Sequence, residues 1–517
     1  ATASAGIQNV THFLKMTDSY TYATAYNNAQ ISDGVQPDKL RFSQEAIQHF
    51  KDHDMPKVYP DTDWFSTILK PYAWQEQVNV SASGGNKRGR YYVSAGAFNQ
   101  DGLFNTFNAD PEENFKYRRY NYRANIDFDL TKRSSLSVSI GGRLQSRNII
   151  GGGESELFRY LHDATPMAGY GLDEEGRRLL SDPNLTGLEK TNDGLGRFYD
   201  LGYVKQEKSV LNLDLQYKLN LDFITKGLEF KIKGSYNSDY TLEKNRKNSY
   251  GTGVTYMATI KDGKEVYIKD GATYTLPYSE SKWGNRDWYA ETSLNYNRQF
   301  GKHNVGALLL YNQSKEYYPS GELYKAIPTG HVGLVGRVTY NYLQKYLVDI
   351  NMGYNGSENF APGRRYGFFP SASLGWVPSE EKFWEPLKNV ISFLKIRGSI
   401  GTVGNDRMGS SRFLYLPGSY RIFEGGESRD NATGKGSANF GTNTKEFLPG
   451  AVEESAGNPY VTWETALKKN IGFDIKFFNN RLGITTDFFF ENRKDILVKN
   501  EAALPSIMGQ KSSSVNY

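Results

Sequence analysis

The chain has 517 residues, with 62 lysines and arginines against 57 aspartates and glutamates and a formal net charge of +5. So even a balance gives no support to a nucleic-acid partner, and the absence of cysteine argues against a disulfide framework or a thiolate metal centre. A mean hydropathy of −0.62 and the lack of any apolar run of about 18 residues exclude membrane-spanning helices but say nothing against spanning strands.

Residues 1–75 show no strand alternation and read as a helical or loop segment. The stretches NVTHFLKMTDSYTYATAYNNAQ and RFSQEAIQHFKDH look helical, the second capped by Ser43, and Asp61 or Thr62 is expected to cap a third short helix in DWFSTILK. From residue 76 to 517 the pattern changes to period two, the mark of strands with one apolar and one polar face. VNVSASG and RYYVSAGAF flank a tight Gly84–Gly89 turn. YNYRANIDFDL sets Tyr122, Ala124, Ile126, Phe128 and Leu130 against Arg123, Asn125, Asp127 and Asp129. LSVSIGGRL returns. SVLNLDLQYKL then sets Leu211, Leu213, Leu215 and Tyr217 against Asn212, Asp214 and Gln216. LEFKIKGSY, WYAETSLNYNRQF and NVGALLLYNQ follow.

The stretch 333–404 is the most regular. Leu334, Gly336, Val338, Tyr340 and Tyr342 fall on one side and Val335, Arg337, Thr339 and Asn341 on the other; Val348, Ile350, Met352 and Tyr354 then oppose Asp349, Asn351 and Gly353. Limbs of about ten residues ending in aromatics fit a bilayer crossed by tilted strands. KKNIGFDIKFF and RLGITTDFFFENR make a last hairpin. Short links such as TKRSS, FGKHN and LQK alternate with long ones at 147–206, 241–287 and 404–461, as expected of a barrel with short turns at one end and long loops at the other. The expected fold is therefore all-β, a transmembrane antiparallel barrel of about fourteen strands with short helices in the N-terminal segment and loops. ATASAGIQNV has neither the basic start nor the apolar core of an export leader, so the chain is expected to be an internal portion of a larger barrel.

Six blocks carry a resemblance: YPDTDWFSTIL (59–69), QVNVSASGGNKRGRYYVSAGAFNQDGLF (77–104), FKYRRYNYRANIDFDLT (115–131), LNYNRQFGKHNVGALLLY (294–311), 333–404, and NPYVTWETALKKNIGFDIKFFNNRLGITTDFFFENRKDIL (458–497). In order and spacing they resemble the SusC/RagA family of TonB-dependent outer-membrane transporters. The resemblance implies a barrel of about 22 strands around a plug domain, a TonB box, and a SusD-like surface lipoprotein as lid. It implies import of oligosaccharides or peptides across the outer membrane of a Gram-negative bacterium, driven through the TonB complex. No plug and no TonB box are visible in this sequence. Two other readings stand beside it: a passive porin of the same fold, and a soluble β-rich adhesin or glycan-binding module.

Polar residues on the inward side of the strands, Arg123, Asp127, Arg143, Asn212, Asp214, Arg337, Asp349 and Arg397, are expected to line the lumen, mostly as generic partners for its filling. Ligand contacts are sought in the outer loops, where Trp283, Trp288, Tyr317, Tyr318, Tyr324, Arg364, Arg365 and Tyr366 offer stacking rings and guanidinium forks, although Trp288 and Tyr366 also suit an aromatic girdle. Trp376, Trp384 and Trp463 are read as girdle residues near the short turns, and Gly336, Gly353, Gly375, Gly398 and Gly401 as packing positions.

No cofactor is expected. His49 and His53 share a helix face, but Phe50 stands where a zinc protease needs Glu, and a solvated helix end suffices. Asp110, Glu112, Glu113 and Asn114 form an acidic cluster without EF-hand spacing, leaving calcium as a candidate ligand there. Lys264, Lys302 and Lys435 follow glycine but precede Glu, His and Gly, so no phosphate loop exists. There is no G-x-S-x-G elbow, and nothing supports an enzyme.

Overall fold

The computed structural model describes all residues except 13, 106–114, 189–192, 197–201, 248–252, 273–274, 318–326, 408–411, 417–419, 424–449, 454–456 and 500–513. In chain order the first strands are β1 (Thr2–Asn9), β2 (Tyr72–Gly85), β3 (Gly89–Gln100), β4 (Tyr117–Asp129) and β5 (Ser134–Ile150). Two short ones follow, β6 (Gly169–Leu172) and β7 (Arg178–Ser181), then β8 (Gly202–Asn220), β9 (Leu228–Lys247), β10 (Thr255–Lys261) and β11 (Lys264–Asp270). The series continues with β12 (Tyr278–Phe300), β13 (His303–Tyr317), β14 (Thr329–Tyr342), β15 (Tyr346–Ser357) and β16 (Tyr366–Trp376). It goes on with β17 (Ile391–Asn405), β18 (Tyr420–Phe423), β19 (Gly450–Glu453), β20 (Glu464–Phe477) and β21 (Leu482–Lys494), and closes with two short strands, β22 (Leu497–Lys499) and β23 (Ser514–Asn516). Fifteen of these make one antiparallel sheet, each strand beside its neighbours in sequence, with β1 and β21 at opposite ends of the order.

One strand more than the sequence count is present because β1 pairs with β2 from Thr2↔Asn79 to Asn9↔Tyr72. Its residues, TASAGIQN, are too small and polar for hydrophobic alternation to reveal. Several strands also run longer than expected: β8, β9 and β12 have 19, 20 and 23 residues. Their loop-side ends continue the ladder with polar residues on both faces, which apolar periodicity does not register.

Register fixes the two faces. Leu213, Tyr236, Trp288 and Lys315 are cross-strand partners in turn, as are Val338 with Ile350, and Ile350 with Ala372. The outer face exposes Val78, Val80, Tyr120, Tyr122, Leu215, Leu309, Leu334, Ile350, Met352, Phe368, Ile471 and Phe488. A contiguous apolar surface of this extent has no place in water. The opposite face is amide, hydroxyl and charge, and holds two cavities of about 840 and 990 Å³. Among the described residues no helix is long and apolar enough to cross a membrane.

At one end the strands turn tightly. Leu343 and Gln344 both adopt left-handed φ (52° and 59°) between β14 and β15, although neither is the Gly, Asn or Asp such a turn favours. The Asn341 side chain supports the turn by accepting from the Gln344 N–H at 2.6 Å. At the other end the long connections fold into a cap with its own core. Helices α1 (Ser19–Ser32), α2 (Gln44–Asp52) and α3 (Trp64–Ile68) pack through Ala23, Ala46, Phe50, Trp64, Phe65 and Ile68. Against them lie Leu157 and Leu161 of α4 (Glu154–Asp163), and Met167, Leu195 and Ala258 from later loops. Strands β6, β7, β10 and β11 form a separate small sheet in the cap, with β7 and β10 parallel.

The helix at Gln44 is capped by Ser43 as expected, but the third is capped by Asp63, whose carboxylate accepts from Ser66, rather than by Asp61 or Thr62. Thr62 instead donates to the Gly169 carbonyl at 2.7 Å, tying the two loops together. The first helix begins later than the sequence suggests, at Ser19 with Asp18 as its cap.

Candidate functional site: the inner wall and the cap

The inner wall is built by the alternation itself, because each strand that presents leucine or tyrosine outward must present its other residues inward. Arg123, Asp127, Asp214, Arg337, Asp349 and Arg397 all fall on this face. The structure brings two of them, Arg337 and Asp349, into direct contact, and gives Arg397 and Asp214 partners on neighbouring strands. Arg337 forms a fork on Asp349, with Nε donating to Oδ1 at 3.1 Å and a second guanidinium nitrogen to Oδ2. Arg397 spans two strands, reaching Asp487 at 2.7 Å and Asp474 at 3.3 Å. Asp214 accepts from the Ser235 hydroxyl and lies 3.8 Å from the Lys233 ammonium. Asp127 accepts from Ser137 at 2.6 Å, and Arg123 donates to Asn125 at 3.3 Å. Arg143 and Asn212 line the larger cavity with Arg123 and Asp214. Arg337 and Asp349 are 49% and 25% exposed in their side chains, so their pairing orients groups more than it stabilises them.

The loop candidates divide. Trp283 lies near the loop-side end of β12 opposite Thr241 and is half exposed. Its neighbour five residues on, Trp288, belongs to the outer face beside Tyr236, the side on which a girdle residue stands. Tyr366 is likewise on the outer face, stacked on Tyr354 with ring centres 5.1 Å apart. Arg365 is structural. Its Nε donates to the Phe360 carbonyl, and its own carbonyl accepts from Ser357 N–H and from Trp463 Nε1. Arg364 points to solvent over the Tyr460 ring. Tyr317 ends β13 beneath Arg286. Tyr318 and Tyr324, and the acidic cluster Asp110, Glu112, Glu113 and Asn114, lie outside the described residues.

Trp463 departs from the girdle reading. It stands at the loop end, packed on Phe360 and Phe369, whose ring in turn leaves no room for a Cβ at Gly367 or Gly404. Trp384 is in the short-turn link, as expected, and donates to the Ile391 carbonyl at 3.1 Å. Of the five glycines read as packing positions, Gly401 is the most crowded, since a Cβ there would sit 2.5 Å from Ser371 Cβ.

The cap was not legible as a packed unit. Its centre is a buried fork in which Arg178 Nε and a second guanidinium nitrogen donate to the two Asp193 oxygens at 2.8 and 2.6 Å. Beside it Gly194 lies under the Trp64 indole, where a Cβ would come within 2.8 Å of the ring. His49 stacks on Tyr59 and bonds Asp54 at 2.8 Å, while His53 takes the left-handed C-cap position, so the pair sits at a helix end. Asp173, Glu174 and Glu175 do converge, but each already answers a cation: Arg177 bonds Asp173 and Glu175 at 2.7 Å, and Lys57 bonds Glu174. Burial pushes the Asp173 carboxyl up, but hydrogen bonds from the Arg177 backbone and guanidinium outweigh it and hold the group below the usual value. Lys57 likewise lowers Glu174 and is itself raised by it.

With this geometry in view, the family model for the TonB dependent receptor-like β-barrel matches residues 159–510. The chain belongs to that family. The TonB-dependent receptor P3 of Formosa agariphila is 25% identical across 88% of this chain and 45% of its own length. The TonB-dependent receptor SusC of Bacteroides thetaiotaomicron is 22% identical across 86% of this chain and 43% of its own. The chain thus spans under half the length of these relatives. Among solved structures, the RagAB peptide importer in its "open-open" state superposes with a TM-score of 0.65 at 18% identity, over 99% of this chain and 56% of that one. The "closed-closed" state gives 0.62. At such identity the likeness speaks for the fold. The β-barrel of a TonB-dependent receptor accounts for the two-faced sheet, the tight turns at one end and the folded loops at the other.

Proposed function

We propose that this barrel wall belongs to an active importer in the outer membrane of a Gram-negative bacterium, coupled to TonB and served by a SusD-like surface lipoprotein. The observation that carries the reading is the segregation of the fifteen-stranded sheet into an apolar outer face and a polar, cavity-bearing inner face. That division needs hydrocarbon on one side and a solvated path on the other. An open sheet edge in lipid leaves N–H and C=O groups unpaired, so in the intact receptor further strands cover β1 and β21. The inner wall orients and passes a polar solute; the cap, held by its apolar core and a buried ion pair, forms the receiving surface for solute and lipoprotein. Oligosaccharides and peptides are the substrate classes proposed, as the family resemblance of the sequence implies; the RagAB peptide importer, similar in fold, favours including the second. The polar wall and the family together support a transporter rather than an enzyme.

The test is uptake of a labelled oligosaccharide and peptide panel by cells carrying the full-length gene. Uptake is expected to stop on TonB depletion and to lose its high-affinity component on deletion of the lipoprotein gene. Uptake indifferent to TonB overturns active import and points to a passive pore.

A further inference from the structure

The inner wall treats its arginines in two ways. On the β14–β21 side they are matched within the wall, Arg337 by Asp349 and Arg397 by Asp474 and Asp487. On the β4–β5 hairpin they are not. Four successive inward rungs of that ladder, Tyr117↔Arg147, Arg119↔Gln145, Asn121↔Arg143 and Arg123↔Gly141, each carry one arginine. Inward rungs recur about every 6.7 Å, so the four span about 20 Å from the loop end toward mid-wall. Only the topmost, Arg147, has a carboxylate partner among the described residues, Glu154.

Among the described residues, Arg119 lies over the Phe98 ring and leaves its Nε buried without an acceptor, and Arg123 has only the neutral Asn125 amide. Arg143 has no hydrogen-bonding or ionic partner among the described residues and is exposed in the 990 Å³ cavity. The carboxylates nearby are already engaged, Asp127 by Ser137, Asp214 by Ser235 and Lys233, and Asp239 by Lys208.

We propose that this arginine ladder is an anion-selecting track for an acidic oligosaccharide, one bearing carboxylate or sulfate groups. Guanidinium forks match such planar or tetrahedral anions bidentately. Much of the remaining cavity lining suits a hydroxyl-rich chain: Asn79, Ser94, Asn121, Ser139 and Asn212 offer amides and hydroxyls. A file of arginines that begins at the loop end, and that below Arg147 meets no carboxylate among the described residues, draws an anionic solute inward and hands it from rung to rung. This inference rests on the import reading and adds the charge class of the substrate.

The test uses the full-length receptor, purified in detergent, and titration calorimetry with three oligosaccharides of equal length: a uronate, a sulfated and a neutral one. At least one acidic probe is expected to bind about tenfold or more tighter than the neutral one, with the advantage shrinking as salt rises. The triple variant Arg119→Gln/Arg123→Gln/Arg143→Gln is expected to lose that preference, and the corresponding triple lysine variant to keep part of it. Equal binding of acidic and neutral probes, or a preference that survives the glutamine triple, overturns the track. So does a triple variant whose melting temperature falls while its preference stays, since the arginines then answer an acidic segment of the protein itself. TonB-dependent uptake of the neutral probe with no acidic preference sinks only this inference. Failure of every probe in the calorimeter together with TonB-indifferent uptake by cells sinks the import reading with it.

Discussion

Substituting Asp193→Ala isolates what holds the cap together. The Arg178 and Asp193 side chains are 7% and 2% exposed, and the change takes from a buried guanidinium its two bonds to Asp193. Removing one partner of a buried pair costs about 3–5 kcal/mol, because the remaining charge keeps its desolvation cost without that partner's compensation. At about 1.4 kcal/mol per factor of ten, the open population of the cap rises roughly 100- to 1000-fold or more. The barrel's ladder is untouched, so the effect is confined to residues 14–70, 151–188 and 253–272. Hydrogen exchange read by mass spectrometry on the full receptor measures it directly. Amides of α2 and α3 should lose protection by that factor, whereas those of β14 and β15 should not change. The double substitution Arg178→Met/Asp193→Leu should recover most of the protection, since apolar replacement of a buried pair is often neutral. Unchanged exchange in the single variant, or equal loss in β14 and β15, refutes the cap as a separately packed unit.

Other consequences follow from single contacts. Gly194→Ala should loosen the same cap by forcing its new methyl against Trp64, with indole fluorescence shifting to the red; an unshifted spectrum counts against that contact. Because the Asp173 and Glu174 carboxyls are held below their ordinary values, their contribution is complete above the unfolded pKa values and is lost as pH falls through the lowered ones. Protease resistance of the cap should therefore be level from neutrality down to about pH 4 and decline only below it. Replacing Leu343→Asn and Gln344→Gly should stabilise the β14–β15 turn by about 1 kcal/mol or more, since L-residues in left-handed φ cost that much, seen as a higher urea midpoint. Ile350→Arg on the outer face should cost about 2–4 kcal/mol of membrane-folded stability, and Asn351→Arg on the inner face close to nothing.

Strands with leucine, valine and tyrosine on alternate positions were legible because burial in hydrocarbon leaves the same period as burial in a core. The stretch 333–404 shows this best: Val338, Ile350 and Ala372 meet across three strands as the alternation requires. β1 was not legible, because its register is set by pairing with β2 and not by an apolar face. The cap was invisible for another reason. Phe50, Trp64, Leu161 and Leu195 are far apart in sequence, and each alone is an ordinary loop or helix residue. Face assignment separated Trp283 from Trp288, which composition treats alike, and it also moved Tyr366 outward. Trp463 was misplaced because a tryptophan at a strand end does not say which end of the barrel it marks. The arginines at 119, 123, 143 and 147 carried a readable signal, two pairs spaced by four on adjoining strands. That Arg119, Arg123 and Arg143 meet no carboxylate among the described residues became evident only once register placed the surrounding acids.

The account stands or falls on which medium touches alternate residues of the wall. The chain has no cysteine, so single cysteines introduced from Val348 to Tyr354 can carry a nitroxide without background. Accessibility to oxygen and to a water-soluble nickel complex should then be measured on the receptor in bilayers. Labels at 348, 350, 352 and 354 should be oxygen-accessible and shielded from nickel, and those at 349, 351 and 353 the reverse. A profile without that two-residue beat, or nickel reaching every position, contradicts a membrane-spanning wall and the transport proposed for it.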